Sequence, residues 1–309
     1  MKKTFLLVLV FAFALAACAP AAPVENEPAT LTVMTHDSFA ISEEVVATFE
    51  AEHNVTVEFL ASGDTGSVLN KAILTKEAPL ADLLFGVDNT FLSRALDEGI
   101  FEVYDAPALA DIPAEFKLDA SNSALPVDFG DVCINYDKAY FAEKGLAVPA
   151  TLEDLLKPEY NGLLVVENPA TSSPGLAFLM ATIAHFGEDG YLTYWLGLRD
   201  NGVAVADGWE TAYYTNFSAS SGQGAQPMVV SYGSSPAAEV IFAETELDDA
   251  PTASILGADT CYRQIEFVGI LAGTENRALA EAFVDFMLST EFQEDLPMQM
   301  FVYPVLPSA

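Results

Sequence analysis

The stretch "LPVDFGDVCINYDKAY", residues 125–140, decides the fold. It carries strand residues, yet it follows a polar, turn-rich stretch, and the pattern of the chain changes across it. Before it, strands and helices alternate. "LTVMTHDSF" (31–39) begins as a strand, apolar and polar residues alternating from Leu31 to Thr35. Ser42 begins a helix through Asn54 with Val45, Val46 and Phe49 on one face. "VTVEFL" (55–60) is a second strand. After the loop "SGDTG" (62–66), Ser67 begins a helix carrying Val68, Leu69, Ala72 and Ile73. "ADLLFGV" (81–87) is a continuous apolar run, as expected for a strand covered on both faces, and "FLSRALDEGI" (91–100) is helical. This β-α-β-α-β-α order predicts an open parallel sheet.

After the stretch a second α/β block begins. Thr151 with Asp154 makes a helix start, the acid three residues beyond the cap. "GLLVVENP" (162–169) is a buried strand, and Pro174 opens the first turn of the helix that follows. "GVAVADG" and "PMVVSYG" are short strands, and "CYRQIEFVGILAG" (261–273) is a long one. The final helix, "NRALAEAFVDFMLSTEFQEDL", sets Leu279, Phe283, Phe286 and Met287 on one side. If it returns to the first block, two strands must cross between the lobes, and residues 128–137 and 261–271 are the candidates. The expected division is residues 31–130 with 268–309 in one lobe and 131–267 in the other. Cys133 and Cys261 fall on the crossing candidates and could face each other, as a disulfide or as two buried thiols.

The first residues read as an export signal. Lys2 and Lys3 precede an apolar run from Phe5 to Ala14 that is too short to span a bilayer. "LAAC" (15–18) resembles a bacterial lipoprotein box, which implies removal of residues 1–17 and a lipid on Cys18. The Ala/Pro-rich residues 18–30 read as an extended tether. The expected location is therefore the outer face of the cell membrane, reached through a lipid anchor. Asp and Glu number 45 against 12 Lys and Arg, so the surface repels nucleic acid and anionic lipid.

In open α/β sheets ligands sit beyond the carboxyl ends of strands. That rule selects "THDSF", "GDTGS", "GVDN", "NPATSSPG", "DGWETAYY" and "SYGSSP". Trp209, Tyr213 and Tyr232 can stack on a flat ring, and a cation over such a face gains roughly 0.5–2 kcal/mol. Asp37, Asp64, Asp88, Asp128 and Asp207 supply negative charge. Ser172 and Ser173 lie at a helix N-terminus, which suits an anion or simply a cap. Tyr213–Tyr214 could also be read as a ferric phenolate pair, although the adjacent tryptophan suits an organic ring better. A hydrolase would need Ser172 or Ser235 with His36, but no G-x-S-x-G elbow and no H-E-x-x-H spacing is present. His53, at a helix end, and His185, on a helix, read as structural. No catalytic residue, metal or cofactor is expected.

Taken in order, "LTVMTHDSF", "ADLLFGVDN", "PVDFG", "NPATSSPGLAFL", "DGWETAYY", "VVSYGSSPA" and "FVDFMLSTEFQEDLP…VYPV" resemble the thiamine-binding proteins of ABC importers over nearly the whole body. The resemblance implies a type II periplasmic-binding-protein fold, with two α/β lobes closing on thiamine or a thiamine phosphate, a monomer, and delivery to a membrane permease. By motif position it places Trp209 and Tyr232 on the ligand rings and Asp37 at a cationic or amino end. It places Ser172, with Ser173, near the hydroxyethyl or phosphate end, and Asp64 in the loop beside it. His36 stands where the family often has Tyr, and Phe301 where it often has Trp, which reduces stacking. The chain ends at Ala309, shortly after "VYPV", where relatives continue. Ferric iron, a polyamine or a pyrimidine are the alternative cargoes.

Overall fold

The computed structural model describes residues 28–221 and 223–309. The expected export signal, Cys18 and the expected tether as far as Glu27 lie outside them. Among the described residues, no helix is long and apolar enough to cross a membrane.

One mixed sheet runs through the molecule. Its first side is built from β1 (Ala29–Thr35), β2 (Val55–Ala61) and β3 (Leu83–Asp88), paired parallel in the order β2-β1-β3. Helices α1 (Glu43–His53), α2 (Thr65–Leu74) and α3 (Leu92–Asp97) join or follow them. This is the predicted alternation, and all six residues of β3 are buried, as an apolar run covered on both faces requires. Two helix starts differ in detail. The Ser42 hydroxyl makes no cap and donates instead to Asp295 Oδ1 at 2.7 Å. α2 begins two residues before the expected Ser67, because Asp64 accepts from the Thr65 N–H and caps it.

The centre of the sheet is an antiparallel pair, β5 (Leu125–Asp137) and β10 (Tyr262–Leu271). These are the crossing strands expected from the sequence. Their register sets Tyr262 opposite Val132 and Glu266 opposite Asp128. It therefore brings Cys261 against Cys133, and a disulfide joins them across 128 residues of chain. β4 (Phe101–Glu102) extends the first side of β10.

Beyond β5 the order continues β8-β6-β7, from β6 (Leu164–Glu167), β7 (Ala204–Ala206) and β8 (Met228–Tyr232). β9 (Thr252–Ile255), a strand not foreseen in the sequence, also pairs with β5. α4 (Lys138–Lys144) follows β5, and Thr151 and Asp154 cap only a short 3-10 turn, Glu153–Leu156. α5 (Ser173–Asp200) has Pro174 in its first turn and a kink at Gly187, whose φ of 70° suits a residue without Cβ. α6 (Ser235–Ile241) follows β8.

The chain then returns. α7 (Arg277–Met287) buries Ala280, Phe283, Val284 and Met287, an i, i+3, i+4, i+7 stripe, whereas Leu279 and Phe286 are only partly buried. Phe283 meets Phe49 of α1 edge-on at 5.0 Å in the core of the first side. Removing a ring so placed costs about 3–5 kcal/mol. α8 (Thr290–Gln299) and β11 (Tyr303–Pro304) complete that side, β11 pairing with β5. The molecule is thus two α/β lobes joined by crossing strands, each lobe with apolar clusters of its own.

Candidate functional site

A cavity of about 920 Å³ lies between the lobes, at the carboxyl ends of β1, β2, β6 and β8. His36, Asp37, Asp64, Glu266 and Phe301 line it from one side, and Ser173, Trp209, Tyr213 and Tyr232 from the other. Six carboxylates reach its wall (Asp37, Asp64, Asp207, Glu210, Glu239 and Glu266), and no lysine or arginine does among the described residues.

The aromatic wall starts where β7 ends. Gly208 leads into a helical turn at Trp209–Thr211, and Ala212–Asn216 continue it with π-helical bonding. This winding stacks Trp209 on Tyr213, centroids 5.0 Å apart and planes 19° apart. Tyr232, at the end of β8, presents its ring to Trp209 at 66° and 6.3 Å. The Trp209 indole N–H donates to Ser231 Oγ at 2.9 Å, which fixes the ring. Tyr213 donates its hydroxyl to Glu239 at 2.6 Å, and burial with that carboxylate pushes its pKa far up. Tyr214 is 56% exposed, and burial of the rest raises its pKa as well. Both rings pack on Trp209, Tyr213 stacked and Tyr214 edge-on at 5.4 Å.

Asp64 bridges the lobes. Its Oδ1 accepts from the Thr65 N–H at 2.7 Å and, across the cleft, from the Ser173 N–H at 3.4 Å. Its Oδ2 accepts from the Trp209 N–H at 3.0 Å. One N–H of the first turn of α5 is thus already directed at a carboxylate. The Gly66 N–H donates to Thr171 O at 2.9 Å beside it. Asp37 ties the loops after β1 and β2, its Oδ1 accepting from the Gly63 N–H at 2.7 Å.

His36 packs on Gly86, where a Cβ would meet the imidazole at 2.3 Å, so only glycine admits the ring there. Its Nε2 lies 3.4 Å from Glu266 Oε1. Burial lowers its pKa, so it is neutral at pH 7. Phe301 lines the rim with φ of 56° and meets Phe242 edge-on at 5.2 Å.

Ser172, Asp88 and Asp128, all expected at the site, do not face the cavity. Ser172 is completely buried and its hydroxyl has no partner, because α5 starts one residue later and it is Ser173 that meets the wall. Asp88 is also buried and accepts from Thr90 Oγ1 at 2.7 Å, closing the turn after β3. Burial raises its pKa to about 6. The serine–histidine pairing does not form either. Ser235 Oγ is 2.9 Å from Ser231 Oγ, and His36 faces Glu266. His53 stacks on Phe49, and His185 sits between Glu153 and Asp259.

Sequence reasoning missed Glu266, Glu239 and Phe242. The one available signal was Glu266 itself, a lone acid in the otherwise apolar run "IEFVGIL".

The family described as "Bacterial extracellular solute-binding protein" matches residues 78–309. The thiamine-binding periplasmic protein of Escherichia coli (strain K12) is 31% identical over 289 residues, covering 92% of this chain and 83% of that one. The protein of the same description from Brucella suis biovar 1 (strain 1330) is 30% identical over 305 residues, covering 94% and 83%. Among solved structures, a periplasmic thiamin binding protein superposes with a TM-score of 0.78 at 28% identity, over 90% of this chain and 84% of that chain.

Proposed function

This chain belongs to the bacterial extracellular solute-binding protein family, and we propose that the solute it captures is thiamine, for delivery to an ABC permease. The observation that carries this reading is the cavity wall: stacked aromatics, six carboxylates and, among the described residues, no lysine or arginine. Such a wall suits a flat organic cation. The ring is held over Trp209 and Tyr232, and the positive charge is met by carboxylates in a partly desolvated space. The same wall disfavours a diphosphate, so unphosphorylated thiamine is the preferred form.

The mechanism is lobe closure. Asp64 draws the Ser173 and Trp209 N–H groups of one lobe onto the other, and the ligand adds contacts that only the closed form makes. In this reading residues 31–130 and 268–309 move against 131–267, the protein acts as a monomer, and it transforms nothing. Export fits the periplasmic relatives, and Cys18 carries the lipid that holds the protein at the membrane.

Calorimetric titration with thiamine tests the cargo. We expect saturable one-to-one binding and a raised melting temperature. No heat and no thermal shift at millimolar thiamine would refute it. Mass spectrometry of the N-terminal peptide tests the anchor, the expected product being diacylglyceryl-modified Cys18; an unmodified Cys18 would refute it.

A further inference from the structure

At and behind the cavity wall lies a group of acids that simple charge attraction does not explain. Asp128 and Glu266 stand opposite each other on the two crossing strands. Asp128 is completely buried and Glu266 is 4% exposed. No hydroxyl or N–H donor reaches either Asp128 oxygen. The carboxyl that stands opposite Asp128 is that of Glu266, and two carboxyls buried side by side resist ionising together. Glu266 in turn reaches the cavity wall.

The groups around the pair offer no positive charge. His36 from the end of β1, Asp64 from the start of α2, Asp88 from the end of β3, Asp37 from the loop after β1, and Tyr232 from β8 act on its members or on His36. His36 is held neutral by burial. The Tyr232 hydroxyl is taken by Gln264 at 3.3 Å. Arg263, on the same strand, is spent on Asp131 at 2.6 Å.

We propose that Glu266, backed by Asp128, is a proton-exchange subsite for an organic cation: the pair holds a proton when no ligand is bound and releases it when the cation arrives. This rests on the cationic cargo proposed above and adds where its charge is balanced. One carboxyl O–H bond breaks, the proton passes to solvent, and the ligand's positive charge replaces it. The net charge of the cleft is unchanged, because the ligand's positive charge offsets the second carboxylate that loss of the proton leaves ionised. Desolvation by burial raises both carboxyls, Glu266 to about 8. At neutral pH the ligand-free pair is therefore protonated, and binding a permanent cation favours its deprotonated form. By linkage, affinity rises with pH, about tenfold per unit, until the pH passes the pKa of the ligand-free pair.

The test is calorimetry with thiamine at pH 7 in two buffers of different ionisation enthalpy, with affinity measured at pH 6.5, 7, 7.5 and 8. That range lies above the titration of the ligand's own ring nitrogen. We expect close to one proton released per thiamine and a dissociation constant that falls as pH rises. In Glu266→Gln the release should drop toward zero and the pH dependence flatten. Asp128→Asn, which removes the facing carboxyl that shares the proton with Glu266, should diminish both and serves if Glu266→Gln does not fold. Thiamine binding without proton release, or undiminished release in both variants, would overturn the proposal. Absence of thiamine binding would refute the cargo instead. The same measurement with spermidine, whose charge must be met in the same cleft, then decides the subsite by the same two outcomes.

Discussion

Replacing Asp64 by serine separates two things that one carboxylate does. Serine caps a helix about as well as aspartate, so the bond to the Thr65 N–H survives the change. Its side chain is too short to reach both Ser173 N and Trp209 N, at 3.4 and 3.0 Å from the present carboxylate oxygens. A hydrogen bond to a charged group contributes about 1.5–3 kcal/mol. The Trp209 bond is well formed and the Ser173 bond is long, so the pair together contributes about 1.5–3 kcal/mol to the closed form. Because ligand is held by the closed form, that loss weakens binding by about tenfold to a hundredfold. Asp64→Ala should weaken binding comparably and cost about 1 kcal/mol of further stability through the lost cap. Titration calorimetry with thiamine and chemical denaturation of both variants supply the two numbers. Wild-type affinity in Asp64→Ser would refute the bridging role, and equal stability of the two variants would refute the capping role.

Two further outcomes are expected. Trp209→Ala should weaken thiamine binding by at least tenfold without unfolding the protein, because the stack on Tyr213 faces the cavity; unchanged affinity in a titration would place the indole in the core alone. Stability should fall as pH rises from about 5 to 8. Asp88, Asp128, Glu167 and Glu266 all have raised pKa values through burial. The native state therefore keeps protons that the unfolded chain gives up above its own carboxylate pKa values, and each such proton costs about 1.4 kcal/mol of stability per pH unit until the folded value is reached. For Asp88 that loss stops near 6 and for Glu266 near 8. Asp119, lowered by its hydrogen bonds to Ser121, Ser123 and Ala124, works the other way and loses its contribution only in stronger acid. Urea denaturation at the two pH values measures the balance, and equal or greater stability at pH 8 would contradict it.

What the sequence made legible was periodic or local. The alternation of β1 to α3, the buried run of β3 and the two crossing strands follow from hydrophobic pattern, because burial on one face or two leaves a period in the residues. The strand-end rule found the loops of the site. It could not sort the side chains within them. Asp64 meets Ser173 and Trp209, which lie 109 and 145 residues further along the chain, and no local pattern encodes such a meeting. Ser172 is next to Ser173, which does face the cavity, and Asp88 closes the turn after β3, so their burial depends on how β3 and α5 pack. The short β9 was hidden because its pairing with β5 comes from tertiary neighbours and not from alternation. Glu266 announced itself by its chemistry, and the strand's register decided what it would stand beside.

The Cys133–Cys261 bond closes most of the second lobe into a ring. Both ends of that ring lie where β5 and β10 leave the lobe. A single protease cut anywhere between the two cysteines therefore opens a loop without parting the chain. The two fragments stay joined by sulfur, with the crossing strands still paired and the lobes still hung on them. An exported protein meets proteases that the cytoplasm does not hold. For such a protein the bond makes damage to the backbone survivable: a nicked molecule keeps both halves of its cleft at the same address.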